Sequence, residues 1–352
     1  MRSSEPLLSV VIINYNGKYY VDSSVKSVFA SYTRRVEVIV VDNGSTDGSV
    51  PLLERHYGRE KDKFTIVALD KNCGPSKARN EGAKVARGEY IGFLDNDTVV
   101  EKEWANPAIK AFEKDSRLGI VQCKLLLAGD HKIIDYVGEY LGQNGFLVQV
   151  ARGGEIDRGQ YDKPIEILAA KSAGMFIRRK TFNLIGGFDD SYFIYVEETD
   201  LGWRNWLAGY KAVFIPQSVV YHEFGTSSIL LGQSKVSFNA KFHGTKNYLQ
   251  TLFKNLGFTN LIKIYIIHLG LWFGLAFFNL FKGRVRESAW IMMGIGWTFL
   301  NIFSMLKKRR IVQSRRRADD SYLFNIWMKR TPLLYFLNKA ATKHKIGNAE
   351  SF

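Results

Sequence analysis

Val36 to Asp42 reads VEVIVVD, and Leu8 to Asn14 reads LSVVIIN. Neither stretch alternates apolar with polar residues. Near-continuous β-branched runs of this length predict strands buried on both faces. Phe64 to Leu69 (FTIVAL) and Tyr90 to Asp95 (YIGFLD) have the same character. Between these runs, Tyr20 to Tyr32, Ser49 to Tyr57 and Pro75 to Arg87 read as helices. Strand and helix alternating at this spacing predicts βαβ units, and so a mostly parallel α/β sheet with helices on both faces. Such sheets bind ligands outside the carboxyl ends of their strands. The polar clusters stand there: Asn14, Tyr15 and Asn16, then Asp42 to Ser45, then Asp95, Asn96 and Asp97.

Each cluster has a plain reading and a chemical one. Asp42 opens DNGSTDGS, a turn-forming run. Its carboxylate either closes that turn or accepts hydrogen bonds from a nucleotide base or ribose. Asp95 and Asp97, two carboxylates one residue apart at a sheet edge, make a hard-oxygen site suited to Mg²⁺ or Mn²⁺ with substrate phosphate. Asn72 to Gly82 (NCGPSKARNEG) is a turn, with Asn72 and Gly74, leading into a helix. Helix N-termini favour anions, and Lys77 and Arg79 add positive charge. The plain alternative is a capped helix with a basic face. Glu197, Glu198 and Asp200 crowd the start of another helix. They either stabilise its N-terminus, with Asp200 and Arg204 as an i, i+4 pair, or provide a general base. His222, in VVYHEF, follows a strand-like stretch and is either structural or a metal ligand.

The chain has 352 residues, is 46% hydrophobic and 14% aromatic, and carries a formal charge of +15. The charge predicts an anionic partner. Two cysteines, Cys73 and Cys123, exclude a disulfide framework and fit a reducing compartment. Residues Met1 to Leu8 contain no secretory signal pattern. No nucleic-acid module is visible.

Past residue 230 the composition changes, so the reading divides the chain into a catalytic part, 1–230, and a helical, apolar and basic part, 231–352. Lys235 to Lys254 predicts an amphipathic helix. Ile264 to Phe281 and Ala289 to Leu306 are apolar runs joined by a basic loop, Lys282 to Ser288. Lys307 to Arg317 holds seven basic residues and no acid. A spanning hairpin would carry Lys282, Arg284 and Arg286 across the bilayer, against the usual retention of basic residues on the cytoplasmic side. The reading favours helices lying in the interface or a re-entrant pair, with the basic run meeting anionic lipid. The bland alternatives are a buried helical pair and a solvated basic face.

Together VVIINYNG, VVDNGSTDGS, NCGPSKARNEG, GEYIGFLDNDT, AGMFIRR and IGGFDDSYFIYVEETDLGWR with a later histidine resemble the family-2 inverting glycosyltransferases. The resemblance covers about residues 7 to 225, in order and at family-like spacing. It implies a GT-A fold, a Rossmann-like mixed sheet. It implies that Asp42 contacts the nucleobase and Asp95 the ribose and diphosphate, that Asp97 and His222 bind a divalent cation, Mg²⁺ or Mn²⁺, and that Arg79 lies near the diphosphate. Gly174, within Ala173 to Met175, would line the donor-sugar and acceptor pocket. The most similar subset transfers rhamnose or galactofuranose in surface-polysaccharide or lipid-linked glycan assembly. That subset has Glu-Asp where this chain has Glu197-Glu198, so Glu198 is the base by position and Glu197 stays open.

The implied partners are a nucleotide-sugar donor (dTDP-, UDP- or GDP-linked), a glycan or lipid-linked acceptor and an anionic membrane surface at the cytoplasmic face. Homo-oligomerisation is left open. The rivals are a non-catalytic nucleotide-sugar-binding scaffold and a processive polysaccharide synthase. The second is disfavoured by the lack of several clear spanning helices and of a Gln-x-x-Arg-Trp-type segment.

Overall fold

The computed structural model describes residues 5–33, 35–151, 154–223 and 237–330. Its first part runs β1 (Leu8–Asn14), α1 (Lys18–Ala30), β2 (Val36–Asp42), α2 (Ser49–Tyr57), β3 (Phe64–Ala68), α3 (Pro75–Val85) and β4 (Tyr90–Asp95). β2, β1 and β4 pair in parallel with β1 in the middle, and β3 adds outside β2. Both faces are covered, as the unbroken apolar runs predict. Val10, Ile12, Val38 and Val40 pack into one core, while Val11, Ile39, Val41 and Phe93 pack into the other. Alternate residues of one strand thus feed two cores, which is why no polar alternation is visible in the sequence.

The chain continues through β5 (Thr98–Val100), α4 (Ala105–Lys114), β6 (Leu118–Leu127), β7 (Asp130–Tyr136), β8 (Glu139–Gly142), β9 (Leu147–Gln149), β10 (Glu155–Ile156) and β11 (Ile165–Glu166). Then come β12 (Met175–Arg178), α5 (Arg179–Ile185), α6 (Glu197–Leu207) and β13 (Lys211–His222). β12 inserts antiparallel between β4 and β6, and β13 runs parallel to β6. The sheet is therefore mixed, and β13 delivers its last residue, His222, opposite Thr98 just past the end of β4.

The longer remaining helices are α7 (Gly244–Asn255), α8 (Ile266–Phe281), α9 (Val285–Leu300), α10 (Ile302–Ser314) and α11 (Asp320–Trp327), and a short strand β14 (Met328–Lys329) pairs with β8. The expected boundary near residue 230 lies outside the described residues. Leu252, Leu256, Val312, Leu323 and Trp327 join the same core as Val11 and Phe93.

One expectation for this part needs correction. The helix read as amphipathic over Lys235 to Lys254 is buried all round within α7, where only Phe253 of twelve residues is not buried. Its polar side chains look polar because they bond inside the protein: Lys254 Nζ meets Asp189 at 2.7 Å and Asp200 at 2.9 Å. The apolar run Ala289 to Leu306 is divided between α9 and α10, which meet at Asn301 with a 68° bend. Several cations of the basic run bond inside the protein, against the bland alternative of a solvated face. Lys308 pairs with Asp189 at 2.6 Å, Arg309 donates to the carbonyl of Leu256 and Arg316 pairs with Asp320 at 2.8 Å.

Candidate active site

Strand register assembles the first wall. Asn14 lies beside Asp42, and Ile13 beside Asp95, so three strand ends present their polar residues at one edge. Asn14, buried, donates to Asp42 Oδ1 at 2.8 Å and to Ser49 Oγ at 2.9 Å, and accepts from Asn96 Nδ2 at 2.8 Å. Asp42 Oδ2 accepts the Ser45 N–H at 2.9 Å, so the turn-closing reading of DNGS holds. Asn16, in the left-handed region at φ 51°, accepts from the Thr46 N–H, and its own N–H donates to Ser45 Oγ. Tyr15 beside it is half-buried. These bonds lock the loops after β1 and β2 together. A Cβ at Gly17 would displace the Asn96 amide from its bond to Asn14.

A second loop closes the same edge. Asn43 Nδ2 donates to Asn72 Oδ1 at 3.1 Å, which also accepts the Gly74 N–H at 2.9 Å. Gly74 has φ +82°, and a Cβ there would strike the Phe193 carbonyl oxygen. No larger residue fits. Gly174 ends a short 3-10 turn, Ser172–Gly174, and is packed so closely that a Cβ would overlap Leu125.

The ends of β4 and β13 converge. Ligand atoms of Asp95, Asp97 and His222 all lie within 4.8 Å of one another. His222 Nε2 is 3.5 Å from Asp97 Oδ1, and its Nδ1 is 2.9 Å from Asp135 Oδ2 on β7. Burial alone would lower the His222 pKa, but the hydrogen bonds to Asp135 and Asp97 raise it to about 10. The carboxylates thus favour positive charge here, whether on a ring proton or on a metal ion. Two carboxylates and an imidazole, oriented by a carboxylate on the far ring nitrogen, fit a divalent cation. Asp135 was not among the residues expected. Its HKIID context carries no signal, and only the pairing of β6 with β7 on one side and β13 on the other brings it to His222.

Arg79 joins this group to the acidic helix. It is buried, with Nη2 2.9 Å from Asp95, and Nη1 3.4 Å from Glu197 and 3.9 Å from Glu198. Expected near a diphosphate, it is engaged with three carboxylates, one of them at the metal group. Lys77, on the same helix, is exposed.

The two adjacent glutamates differ. Glu197 is 4% exposed and its Oε2 has no hydrogen-bond partner. Burial, then the neighbouring Glu198 charge, push its pKa up to about 8. Glu198 is partly exposed, and its Oε1 accepts from Ser172 Oγ at 2.5 Å and from the Ser172 N–H at 3.2 Å. These bonds and the Arg79 contact all fall on Oε1. Asp200 points away from the site, into Arg204, Lys254 and Asn255.

The strand ends thus bring together a polar wall, three residues that could hold a divalent cation and a carboxylate linked to them through Arg79. Residues 9–130 match Glycosyl transferase family 2, and residues 90–307 match Glycosyl transferase family group 2. The second match spans more than half of the chain, and the chain belongs to the family-2 glycosyltransferases. It is 35% identical over 103 residues to TuaG, a Bacillus subtilis glycosyltransferase named for teichuronic acid biosynthesis, covering 29% of this chain and 40% of TuaG. It is 25% identical over 215 residues to the poly-beta-1,6-N-acetyl-D-glucosamine synthase of Staphylococcus aureus, covering 61% of this chain and 49% of that one. These matches span less than half the length of either relative.

Among solved structures, residues 1–349 of S. aureus TarS align with a TM-score of 0.56 at 17% identity, covering 90% of this chain and 91% of that one. GalNAc-T7, solved with UDP, GalNAc and Mn²⁺, aligns with a TM-score of 0.60 at 20% identity, covering 74% of this chain and 50% of the other. At such identities the likeness establishes the fold.

Proposed function

We propose that this protein transfers a sugar, with inversion, from a nucleoside diphosphate sugar to a hydroxyl of a glycan or lipid-linked acceptor in surface-polysaccharide assembly. The observation that carries the reading is the convergence of Asp95, Asp97 and His222 beside Glu198, with Arg79 bridging Asp95 to the glutamates.

Asp42 and the Asn14–Asn16 loop take the nucleoside, and Asp95 faces the ribose and diphosphate. Asp97, Asp95 and His222 would hold Mg²⁺ or Mn²⁺, which offsets charge on the leaving diphosphate when bound. Glu198 takes the proton from the acceptor hydroxyl as that oxygen attacks the anomeric carbon. Ser172 and Arg79 hold its Oε1 and leave Oε2 to face the acceptor. Glu197, deeply buried, keeps Arg79 between the two sites. The donor nucleotide, dTDP, UDP or GDP, is to be read from a panel. TarS and the mannosyltransferase of Pyrobaculum calidifontis, solved with UDP-GlcNAc and with GDP-Man and Mn²⁺, support a donor of this class.

The site works at a lipid surface, on the cytoplasmic face. The segment Phe258–Phe281 is long and apolar enough to cross a membrane, and α9 with α10 passes the same test only as a bent pair. Phe277, Phe278, Leu280, Phe281, Val285 and Leu300 are all at least half exposed. Lys282, Arg284, Arg286 and Lys307 flank them. An apolar face rimmed by cations fits an anionic bilayer.

The test is release of nucleoside diphosphate from a panel of nucleotide sugars with Mn²⁺, with and without detergent-solubilised membrane extract. One donor should respond, the extract should raise the rate, and Glu198→Gln should lower turnover by about 10²-fold or more with donor binding kept. Near-normal turnover in that variant refutes the base assignment. A silent panel with folded protein and intact nucleotide binding supports the non-catalytic scaffold instead.

A further inference from the structure

The chain enters α6 through two successive left-handed residues that are not glycine, Tyr195 (φ 71°) and Val196 (φ 68°). Among the described residues, Asn16 and Arg35 are the only other non-glycine residues with positive φ. A β-branched valine is especially disfavoured there. Such backbone persists only where its surroundings over-determine it.

The constraint comes from α7. Asn247, fully buried, donates from Nδ2 to the carbonyl oxygens of Ile194 and Tyr195, each at 2.8 Å. Those carbonyls belong to the peptide planes on either side of Tyr195. Holding both planes fixes φ and ψ of Tyr195 and the plane from which Val196 turns into the helix. The same helix grips the loop further back, through Gln250 Nε2 to Ser191 Oγ at 2.8 Å and Tyr192 OH with Thr251 Oγ1 at 2.7 Å. Glu198 is the second residue of α6, so its carboxylate inherits the direction this turn sets.

We propose that Asn247 is a positioning residue for Glu198: its side-chain amide holds the left-handed turn at Tyr195 and Val196 and so aims the carboxylate at the acceptor hydroxyl. This rests on the reading of Glu198 as the base. A displacement of an ångström at a reacting group is costly, and the amide supplies no other contact to the site.

The test uses the full chain and the nucleotide sugar that responds in the panel. Asn247→Leu keeps the volume and removes both donors. It should lower kcat about tenfold or more while donor affinity stays within about twofold. Amide hydrogen exchange across residues 195–200, which needs no substrate, should quicken about tenfold. Adding Val196→Gly, which adopts the left-handed turn without strain, should restore most of the lost kcat and protection.

A merely structural asparagine would instead give a general loss of stability that Val196→Gly does not repair. That result, or kcat within about twofold of wild type in Asn247→Leu, overturns the proposal. If Asn247→Leu does not fold, Asn247→Ser with the same exchange measurement decides it. Glu198→Gln separates the two readings. An active Glu198→Gln sinks the base assignment, with the clamp still visible in exchange. An inactive one beside a fully active Asn247→Leu sinks the positioning role alone.

Discussion

Replacing Asp200 by asparagine separates the two physical readings of the acidic helix. On a solvated helix surface, Asp200 and Arg204 would form an i, i+4 pair worth about 0.3–0.5 kcal/mol. The structure puts Asp200 at 0% exposure, with Arg204 Nη2 at 2.8 Å, Lys254 Nζ at 2.9 Å and Asn255 Nδ2 at 3.0 Å. Asparagine keeps the shape and removes the charge. Lys254 then retains Asp189, but Arg204, 7% exposed, is left with neutral oxygens alone, the Ile185 carbonyl at 2.7 Å and the new amide. A buried cation left without its carboxylate costs about 3–5 kcal/mol, an order of magnitude above the surface value.

Equilibrium urea unfolding followed by tryptophan fluorescence measures this, since Trp203 and Trp206 lie on the same helix. The pH dependence should move with it. Burial alone would raise the Asp200 pKa, and Arg204 and Lys254 together bring it below the ordinary value. A depressed folded pKa gives stability that is present above the unfolded value of 3.8 and lost as pH falls toward the folded one. The variant should therefore lose less stability than wild type on acidification below about pH 5. A stability change under about 1 kcal/mol at neutral pH would refute the buried-network reasoning.

Asp135→Asn should weaken Mn²⁺ affinity about 10- to 100-fold, read by titrating Mn²⁺ into nucleotide-saturated protein, because it takes the orienting partner from His222 Nδ1. Unchanged affinity would remove Asp135 from the metal site. Gly74→Ala combines a disfavoured φ with a clash on the Phe193 carbonyl and should cost at least about 1–2 kcal/mol with weakened nucleotide binding, measured by calorimetry. Phe278→Glu with Phe281→Glu should abolish flotation with vesicles containing phosphatidylglycerol and leave donor hydrolysis in detergent near normal. Full flotation would show that the lipid contact lies elsewhere.

The sequence alone determined the elements whose cause is local. β1, β2, β4 and α2 begin and end where the apolar runs and turn residues place them, because burial on both faces leaves a continuous β-branched signature. The polar residues at those strand ends were legible for the same reason, since a parallel sheet puts every carboxyl end on one edge. Tertiary structure alone decided the rest. Asp135 reaches His222, and Ser172 reaches Glu198, across intervals of 87 and 26 residues, through pairings that no local pattern records. Glu197 and Glu198 are chemically identical neighbours, and only their burial separates them, raising the pKa of the first and leaving the second partly exposed. The polar face of α7 looked solvated because hydrogen-bond donors read alike whether water or Asp189, Asp200 and the Tyr195 carbonyl accepts from them. Periodicity reports which side of an element is apolar. Which partners satisfy its polar side is set by the packing of distant segments, and that packing distinguishes a helix on the surface from one buried against the loop before α6.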